Sequence, residues 1–150
     1  GGCWETTDPV PEIEAIKERN RECNGNLYPL CRMTRAWKEK HNVDLKGYLI
    51  DLFAYRFLST YEHRTKTSVC HDYMMRDFFL YLSEVLYTQA SFRMPGSNRC
   101  YPNRGYFQYA AEQAHKAAVE AIAKEGKGFH YTAYNIWRER LGGGFPTYQE

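Results

Sequence analysis

The chain has 150 residues, which is enough for one domain with a sizeable buried core. Charged residues make up 25% and apolar residues 43%, so the composition is that of a folded globular protein and not of a disordered one. No apolar run approaches the roughly 18 to 20 residues that a membrane-spanning helix needs, which excludes a membrane protein. The net charge of +2 makes long nucleic acid an unlikely partner, although a local basic patch could bind a small phosphorylated ligand.

The cysteines indicate the compartment. Their number is odd and none of them forms a Cys-x-x-Cys pair: Cys3, Cys23, Cys31, Cys70 and Cys100. This pattern argues against a zinc ribbon and a disulfide framework, so we expect a reducing, cytoplasmic environment. The chain begins with Gly-Gly-Cys-Trp and shows no signal-peptide pattern, and we interpret it as part of a longer protein.

Helical patterns dominate the first half of the chain. The Asp8-Pro9 pair is typical of a helix start and predicts a helix over 12–23. A second helix, over 27–41, has an apolar inner stripe and a basic outer face. The third, over 46–61, is apolar on all sides apart from Asp51 and Arg56, as is typical of a helix in the middle of a bundle. A carboxylate in such a helix needs a partner.

The second half continues the helical pattern with one interruption. A fourth helix is predicted over 72–87, with Val85 and Leu86 among its inner residues. Two prolines and two glycines interrupt the pattern over 91–105, which predicts a loop. An alanine-rich helix over 106–125 and a last helix over 132–141 follow. The sequence therefore predicts one all-α bundle of about six helices without an internal domain boundary.

Several groups of residues could carry chemistry. Cys70, His71 and Asp72 have the residue types of a catalytic triad, but neighbours in sequence usually point apart, and a helix start with Asp72 near the cap is the better interpretation. The histidines show no i,i+4 pairing, so no metal site is expected within this chain.

The basic outer face of the second helix is the strongest candidate for ligand binding. Arg32 and Arg35 lie three residues apart, so both guanidinium groups could hold a polyphosphate between them, with Lys38 at the flank. The alternative is a solvated surface in which the arginines pair with Glu39. Tyr48 could be a core aromatic or a platform for a base.

The loop over 91–105 is a second candidate. Its arginines, Arg93, Arg99 and Arg104, alternate with aromatic residues, a pattern that can bind a nucleotide or a single strand. The alternative is a solvated connector between two helices.

The motifs also carry a family resemblance. Residues 30–37 (LCRMTRAW) and 47–53 (GYLIDLF) resemble the first helices of the C-terminal domain of oligoadenylate synthetase-like nucleotidyltransferases. The closer resemblance is to the bacterial CD-NTases, which are related to cyclic GMP-AMP synthase. Further segments typical of that group occur in the same order, at 4–9, 24–27, 32–38, 95–97 and 137–146. The resemblance extends over nearly the whole chain.

This resemblance implies a helical C-terminal lobe of a polymerase-β-like nucleotidyltransferase, covering residues 1–150. The catalytic lobe, with three carboxylates and two Mg²⁺ ions, is expected upstream of Gly1, so this chain alone is predicted to be inactive. The implied substrates are nucleoside triphosphates, and the implied products are cyclic or linear oligonucleotide second messengers of bacterial antiviral signalling. The implied partners are the catalytic lobe and a regulatory protein.

The resemblance also implies roles for single residues. Arg35 lies where relatives carry a lysine that contacts the donor triphosphate, and Tyr48 lies where a tyrosine often stacks on a nucleobase. Gly47 replaces a serine or glutamine that often contacts phosphate, and Lys46 could compensate for its missing side chain. Two other functions remain open: a non-catalytic helical module that binds RNA or a protein partner, and a purely structural domain.

Overall fold

A computed structural model describes residues 9–86 and 88–142. In this part the chain forms six α-helices and one β-hairpin, which confirms the predicted all-α bundle. The helices are α1 (Val10–Glu22), α2 (Leu27–His41), α3 (Gly47–Thr60), α4 (His71–Ser83), α5 (Gln108–Gly126) and α6 (His130–Asn135). A short 3-10 turn (Ser68–Cys70) precedes α4, and a π-helical segment (Ile136–Leu141) continues α6.

The buried third helix lies in the middle of the core, as its apolar sequence predicts. Phe53 of α3 is 1% exposed, and its ring lies 5.2 Å from the ring of Phe92 and 5.7 Å from that of Phe107. The inner stripe of α2 packs on the same core, where the Trp37 ring lies 5.0 Å from that of Phe79. One continuous cluster of apolar side chains therefore joins the helices and the hairpin.

The segment that was predicted as a loop contains a short antiparallel hairpin. Its strands are β1 (Ser91–Arg93) and β2 (Cys100–Pro102), with Phe92 opposite Tyr101. Gly96 in the turn has φ +83°, and a Cβ there would lie only 2.1 Å from the Pro11 carbonyl oxygen. Glycine is therefore required for the turn to pack against the start of α1.

The bounds of α1, α3 and α5 lie within two residues of the prediction, and the clearest differences are at the end of α4 and in the last helix. The predicted helix over 72–87 ends at Ser83, and Leu86 is 68% exposed instead of facing the core. The carbonyl oxygens of Val85 and Leu86 instead accept hydrogen bonds from the side chains of Gln108 and Asn103, at 3.1 and 3.3 Å. The predicted last helix begins two residues early and then widens into the π-helical segment.

The cysteines differ in part from the expectation of free thiols. Cys23, Cys31 and Cys70 are free, but Cys100 forms a disulfide. The expectation is therefore wrong for Cys100. Cys3, the motif residues over 4–8 and the closing residues over 143–146 lie outside the described residues. Among the described helices, none combines the length and the apolar character that crossing a membrane requires.

Candidate functional site

Both arginines of the basic helix face line one cavity. It has a volume of about 370 Å³ and is bounded by side chains of α1, α2 and α3. The lining residues are Ile16, Leu27, Tyr28, Cys31, Arg32, Arg35 and Asp51. Tyr28, Arg32 and Arg35 follow one another at spacings of four and three residues, so they occupy one face of α2. This spacing is the signal that would have added Tyr28 to the predicted site.

Arg35 is held against the first turns of α3. Its Nη2 atom lies 2.9 Å from Asp51 Oδ1 and donates a hydrogen bond of 3.2 Å to the Gly47 carbonyl oxygen. Asp51 thus has a partner, although its side chain is 34% exposed and not fully buried. Glu39, the partner expected if this face were only solvated, instead lies 3.8 Å from Lys38, and its side chain is 80% exposed.

The start of α3 adds partial positive charge beside Arg35. Lys46 precedes the helix in an extended conformation, and its carbonyl oxygen accepts hydrogen bonds from the amides of Leu49 and Ile50. The amides of Gly47 and Tyr48 come before these and have no acceptor within the helix. Such a helix start favours a negatively charged group. The exposed side chain of Lys46 lies at the same position.

Tyr48 connects the start of α3 to the hairpin. Its hydroxyl donates a hydrogen bond of 3.2 Å to the Pro102 carbonyl oxygen, and its ring centroid lies 4.8 Å from that of Tyr101. The side chain is half-buried. Tyr48 therefore has a structural contact through its hydroxyl and its ring, while part of its side chain remains exposed.

The structure separates the three arginines of the 91–105 segment. Arg99 lies 4.0 Å from Glu12 of α1, and its guanidinium lies 4.6 Å from the centre of the Tyr101 ring. Glu12 also accepts hydrogen bonds from Ser97 at 2.7 Å and from Tyr101 at 3.1 Å. Arg99 therefore helps to attach the hairpin to α1, and these contacts with Glu12 could not be read from the local sequence.

Arg104 lies near the start of α3, whereas Arg93 donates to the Asn98 carbonyl oxygen within the hairpin. Two contacts on either side of Arg104 fix its position. On one side Pro102 accepts the hydrogen bond from Tyr48, and on the other the Tyr106 amide donates to Asp44 Oδ2 at 3.3 Å. The backbone at Arg104, which follows β2, is therefore held beside residues 44–48, and its side chain is exposed.

The Cys70-His71-Asp72 sequence does not form a triad. His71 Nε2 lies 2.9 Å from Asn26 Oδ1, and Asp72 accepts a hydrogen bond from the Tyr73 amide in the first turn of α4. Burial and the charge of Arg32 lower the pKa of His71. Residues 9–86 and 88–142 contain no group of three His, Cys, Asp or Glu side chains that could hold a metal ion.

Comparison with known proteins supports a relationship to cyclic nucleotide synthases. The chain is 24% identical, over 99% of its length, to a probable cyclic nucleotide synthase of Bacillus cereus (strain VD146) and covers 45% of that protein. A segment of 45 residues, 30% of the chain, is 36% identical to 12% of a cyclic AMP-AMP-GMP synthase of Enterobacter hormaechei subsp. hoffmannii (strain UCI 50). No protein-family profile and no solved structure matches the chain.

The chain therefore spans less than half the length of these two curated relatives. Both carry the name of an enzyme that makes cyclic nucleotides, in agreement with the resemblance seen in the motifs. The chain is thus similar to cyclic nucleotide synthases.

Proposed function

We propose that this chain is the helical lobe of a nucleotidyltransferase that makes cyclic or linear oligonucleotide second messengers from nucleoside triphosphates. In this proposal it closes one side of the nucleotide cleft in an enzyme of bacterial antiviral signalling. The observation that carries the proposal is the position of Arg35, which is fixed at the first turns of α3 beside the cavity that Arg32 also lines. The similarity to a probable cyclic nucleotide synthase extends over 99% of the chain and supports the same assignment.

The chemistry of this site suits a triphosphate. The guanidinium groups of Arg32 and Arg35 donate charge-assisted hydrogen bonds to phosphate oxygens, and the free amides at the start of α3 add further donors. Lys46 and Arg104 supply exposed positive charge at the same end of α3. Tyr48 offers the part of its ring that is not packed against Tyr101 to a nucleobase. Lys38 lies farther along the exposed side of α2, where it adds long-range attraction only.

The metal chemistry belongs to another part of the enzyme. Nucleotidyl transfer with two Mg²⁺ ions needs carboxylates that bridge them, and the described residues have no suitable group of three ligands. In the proposal the catalytic lobe holds both ions and this lobe binds and orients the nucleotide. No step of the transfer itself is assigned to residues 1–150.

A nucleic-acid- or protein-binding module without catalytic function is the second candidate. Two aromatic side chains near Arg104 favour it, because Tyr106 is 83% exposed and Tyr109 is 74% exposed at the start of α5. Exposed aromatic rings beside basic residues bind unpaired bases by stacking.

Titration of the ¹⁵N-labelled chain with a non-hydrolysable ATP analogue separates the two candidates. The proposal predicts amide shift changes over 28–35 and 44–48. Arg35→Ala should weaken binding about ten- to a hundredfold, because it removes a charge-assisted contact to phosphate. The control is Arg138→Ala, which removes an exposed arginine from the π-helical segment and should leave the affinity unchanged.

Two results would contradict the proposal. One is an equal loss of affinity in both variants, which would indicate non-specific attraction. The other is a set of shift changes confined to Tyr106 and Tyr109 on addition of a short oligonucleotide, with none from the ATP analogue, which would favour the binding module.

A further inference from the structure

We propose that Asp51 is a positioning residue for the nucleotide site. Its carboxylate holds Nη2 of Arg35, so that the planar guanidinium keeps one orientation toward a phosphate in the cavity. This inference rests on the proposed function, because it assigns the residue that orients the arginine of the same site.

Arg35 is held against α3 through its Nη2 atom. Nη2 lies 2.9 Å from Asp51 Oδ1 and donates a hydrogen bond of 3.2 Å to the Gly47 carbonyl oxygen. Burial raises the pKa of the Cys31 thiol, Asp51 raises it further and Arg35 opposes the rise, so this thiol belongs to the same group of interacting side chains. A Cβ at Gly47 would lie 3.6 Å from Nη2 and 4.0 Å from Nε, which shows that this side of the group faces α3.

Because a guanidinium is planar, holding Nη2 against α3 restricts the orientation of the whole group beside the cavity. A lysine has one nitrogen on a flexible stem and cannot be oriented in this way. Arg35 and Asp51 therefore act as a matched pair.

The ion pair between Arg35 and Asp51 is too exposed to contribute much to the stability of the fold, so stability alone does not explain it. The side chains of Arg35 and Asp51 are 43% and 34% exposed, and pairs of this kind contribute little to the free energy of folding. Asp51 is also the only acidic residue among the lining residues of the cavity, where a carboxylate opposes the binding of an anion. An acidic side chain at this position is unfavourable for phosphate binding unless it orients Arg35.

The negative charge of Asp51 opposes phosphate binding, whereas its contact with Arg35 should favour it. A substitution that removes the charge therefore tests which effect is larger. Asp51→Asn removes one negative charge beside the cavity and keeps the size of the side chain. If charge were the only effect, the variant would bind the triphosphate more tightly. If Asp51 positions Arg35, the variant should bind about tenfold more weakly, because an amide oxygen holds the guanidinium less firmly than a carboxylate.

The experiment measures the affinity of the chain for the non-hydrolysable ATP analogue by calorimetry, in a two-by-two set of variants. Asp51→Asn is made in the wild type and in the Arg35→Ala background, and the melting temperature of every variant is recorded. The inference predicts a loss of about tenfold in the wild-type background and no loss when Arg35 is already absent. Glu39→Gln is the control, because it removes an exposed carboxylate from α2 that contacts Lys38. It should change the affinity less than twofold.

Two results overturn the inference alone: tighter binding by Asp51→Asn, and an equal loss in both backgrounds. Tighter binding would show that Asp51 only competes with the phosphate, and an equal loss would show that it does not act through Arg35. A wild-type chain that binds no triphosphate overturns the proposed function together with this inference. The two failures are therefore distinguishable.

Discussion

The contacts of Tyr48 support one of the two roles considered for it from the sequence. Its hydroxyl and ring attach α3 to β2, as a structural residue would. The stacking of a nucleobase on its ring stays a prediction. The residue types alone could not distinguish these roles, because the contact with Pro102 joins positions 54 residues apart.

Substitutions at Tyr48 separate the ring from the hydroxyl. Tyr48→Phe keeps the ring, so nucleotide affinity should be nearly unchanged, while the lost hydrogen bond should lower the stability by about 1 kcal/mol. Tyr48→Ala should cost on the order of 1 to 3 kcal/mol of nucleotide binding in addition to a loss of stability. Thermal unfolding and nucleotide titration of both variants check these expectations. A lower melting temperature for Tyr48→Ala with unchanged affinity would rule out the stacking role.

His71 should make the stability of the bundle depend on pH. Asn26 Nδ2 donates to two carbonyl groups, so its Oδ1 must accept, and His71 Nε2 is therefore the donor in their hydrogen bond. Burial, followed by the charge of Arg32, lowers the pKa of His71 from its ordinary value of 6.5. The unfolded chain then binds the proton more readily than the folded one. Stability should fall as the pH drops below about 6.5.

The check is the melting temperature of the wild type and of His71→Gln between pH 7.5 and pH 5. Glutamine can donate the same hydrogen bond to Asn26 but does not titrate, so the variant should lose less stability on acidification. Parallel curves for the two proteins would show that His71 does not cause the pH dependence.

Helices with local signals could be predicted, and those whose ends depend on distant contacts could not. The bounds of α2 agree with the prediction because its apolar stripe and its flanking turn are both local. The end of α4 was missed because the segment after Ser83 is held by side chains distant in sequence, where Asn103 and Gln108 donate to the carbonyl oxygens of Leu86 and Val85. The hairpin was missed because contacts with Glu12, 85 and 89 residues away, hold it in place.

The same distinction applies to the candidate site. The spacing of Arg32 and Arg35 predicted one basic face, and both residues do line one cavity. The partner of Arg35 depends on how α2 packs against α3, so Asp51 could not be identified from either helix alone. Likewise, the sequence could not show which of the three hairpin arginines lies near the start of α3.

Asn26 links the start of α2 to the segment over 64–66 and to α4, and it provides a test of the described fold. It is 4% exposed, donates to the carbonyl groups of Arg64 and Lys66 at 2.8 and 2.7 Å, and accepts from His71. Asn26→Ala leaves these groups without their partner, so it should lower the free energy of unfolding by about 1 to 3 kcal/mol. Urea unfolding of the variant measures this loss.

The matched control is the neighbouring Asn24→Gly. Asn24 is exposed, and its side-chain amide donates a hydrogen bond of 3.2 Å to the Thr65 carbonyl oxygen. Its φ of +55° is accessible to glycine, so the substitution introduces no backbone strain. We expect a change within about 0.5 kcal/mol. Equal losses of unfolding free energy in the two variants would show that the buried contacts of Asn26 contribute no more to stability than the exposed contact of Asn24.

The described part of the chain has one core, and the proposed nucleotide site lies at one end of α3. Phe53 joins α3 to the hairpin and to the start of α5, so the elements that position Arg35, Tyr48 and Arg104 all pack on the same core. The two similar synthases are more than twice as long as this chain. A site that binds and orients without metal ligands is what one lobe of a two-lobe enzyme requires.

The most direct test of this account is a synthesis assay with labelled nucleoside triphosphates and Mg²⁺. It compares the chain of residues 1–150 alone with a longer protein that also contains the catalytic lobe of the proposal, and the products are separated by chromatography. The longer protein should incorporate nucleotide into an oligonucleotide product, and its Arg35→Ala variant should be about ten- to a hundredfold less active. The chain alone should incorporate none. Incorporation by the chain alone, or none by the longer protein, would contradict the account.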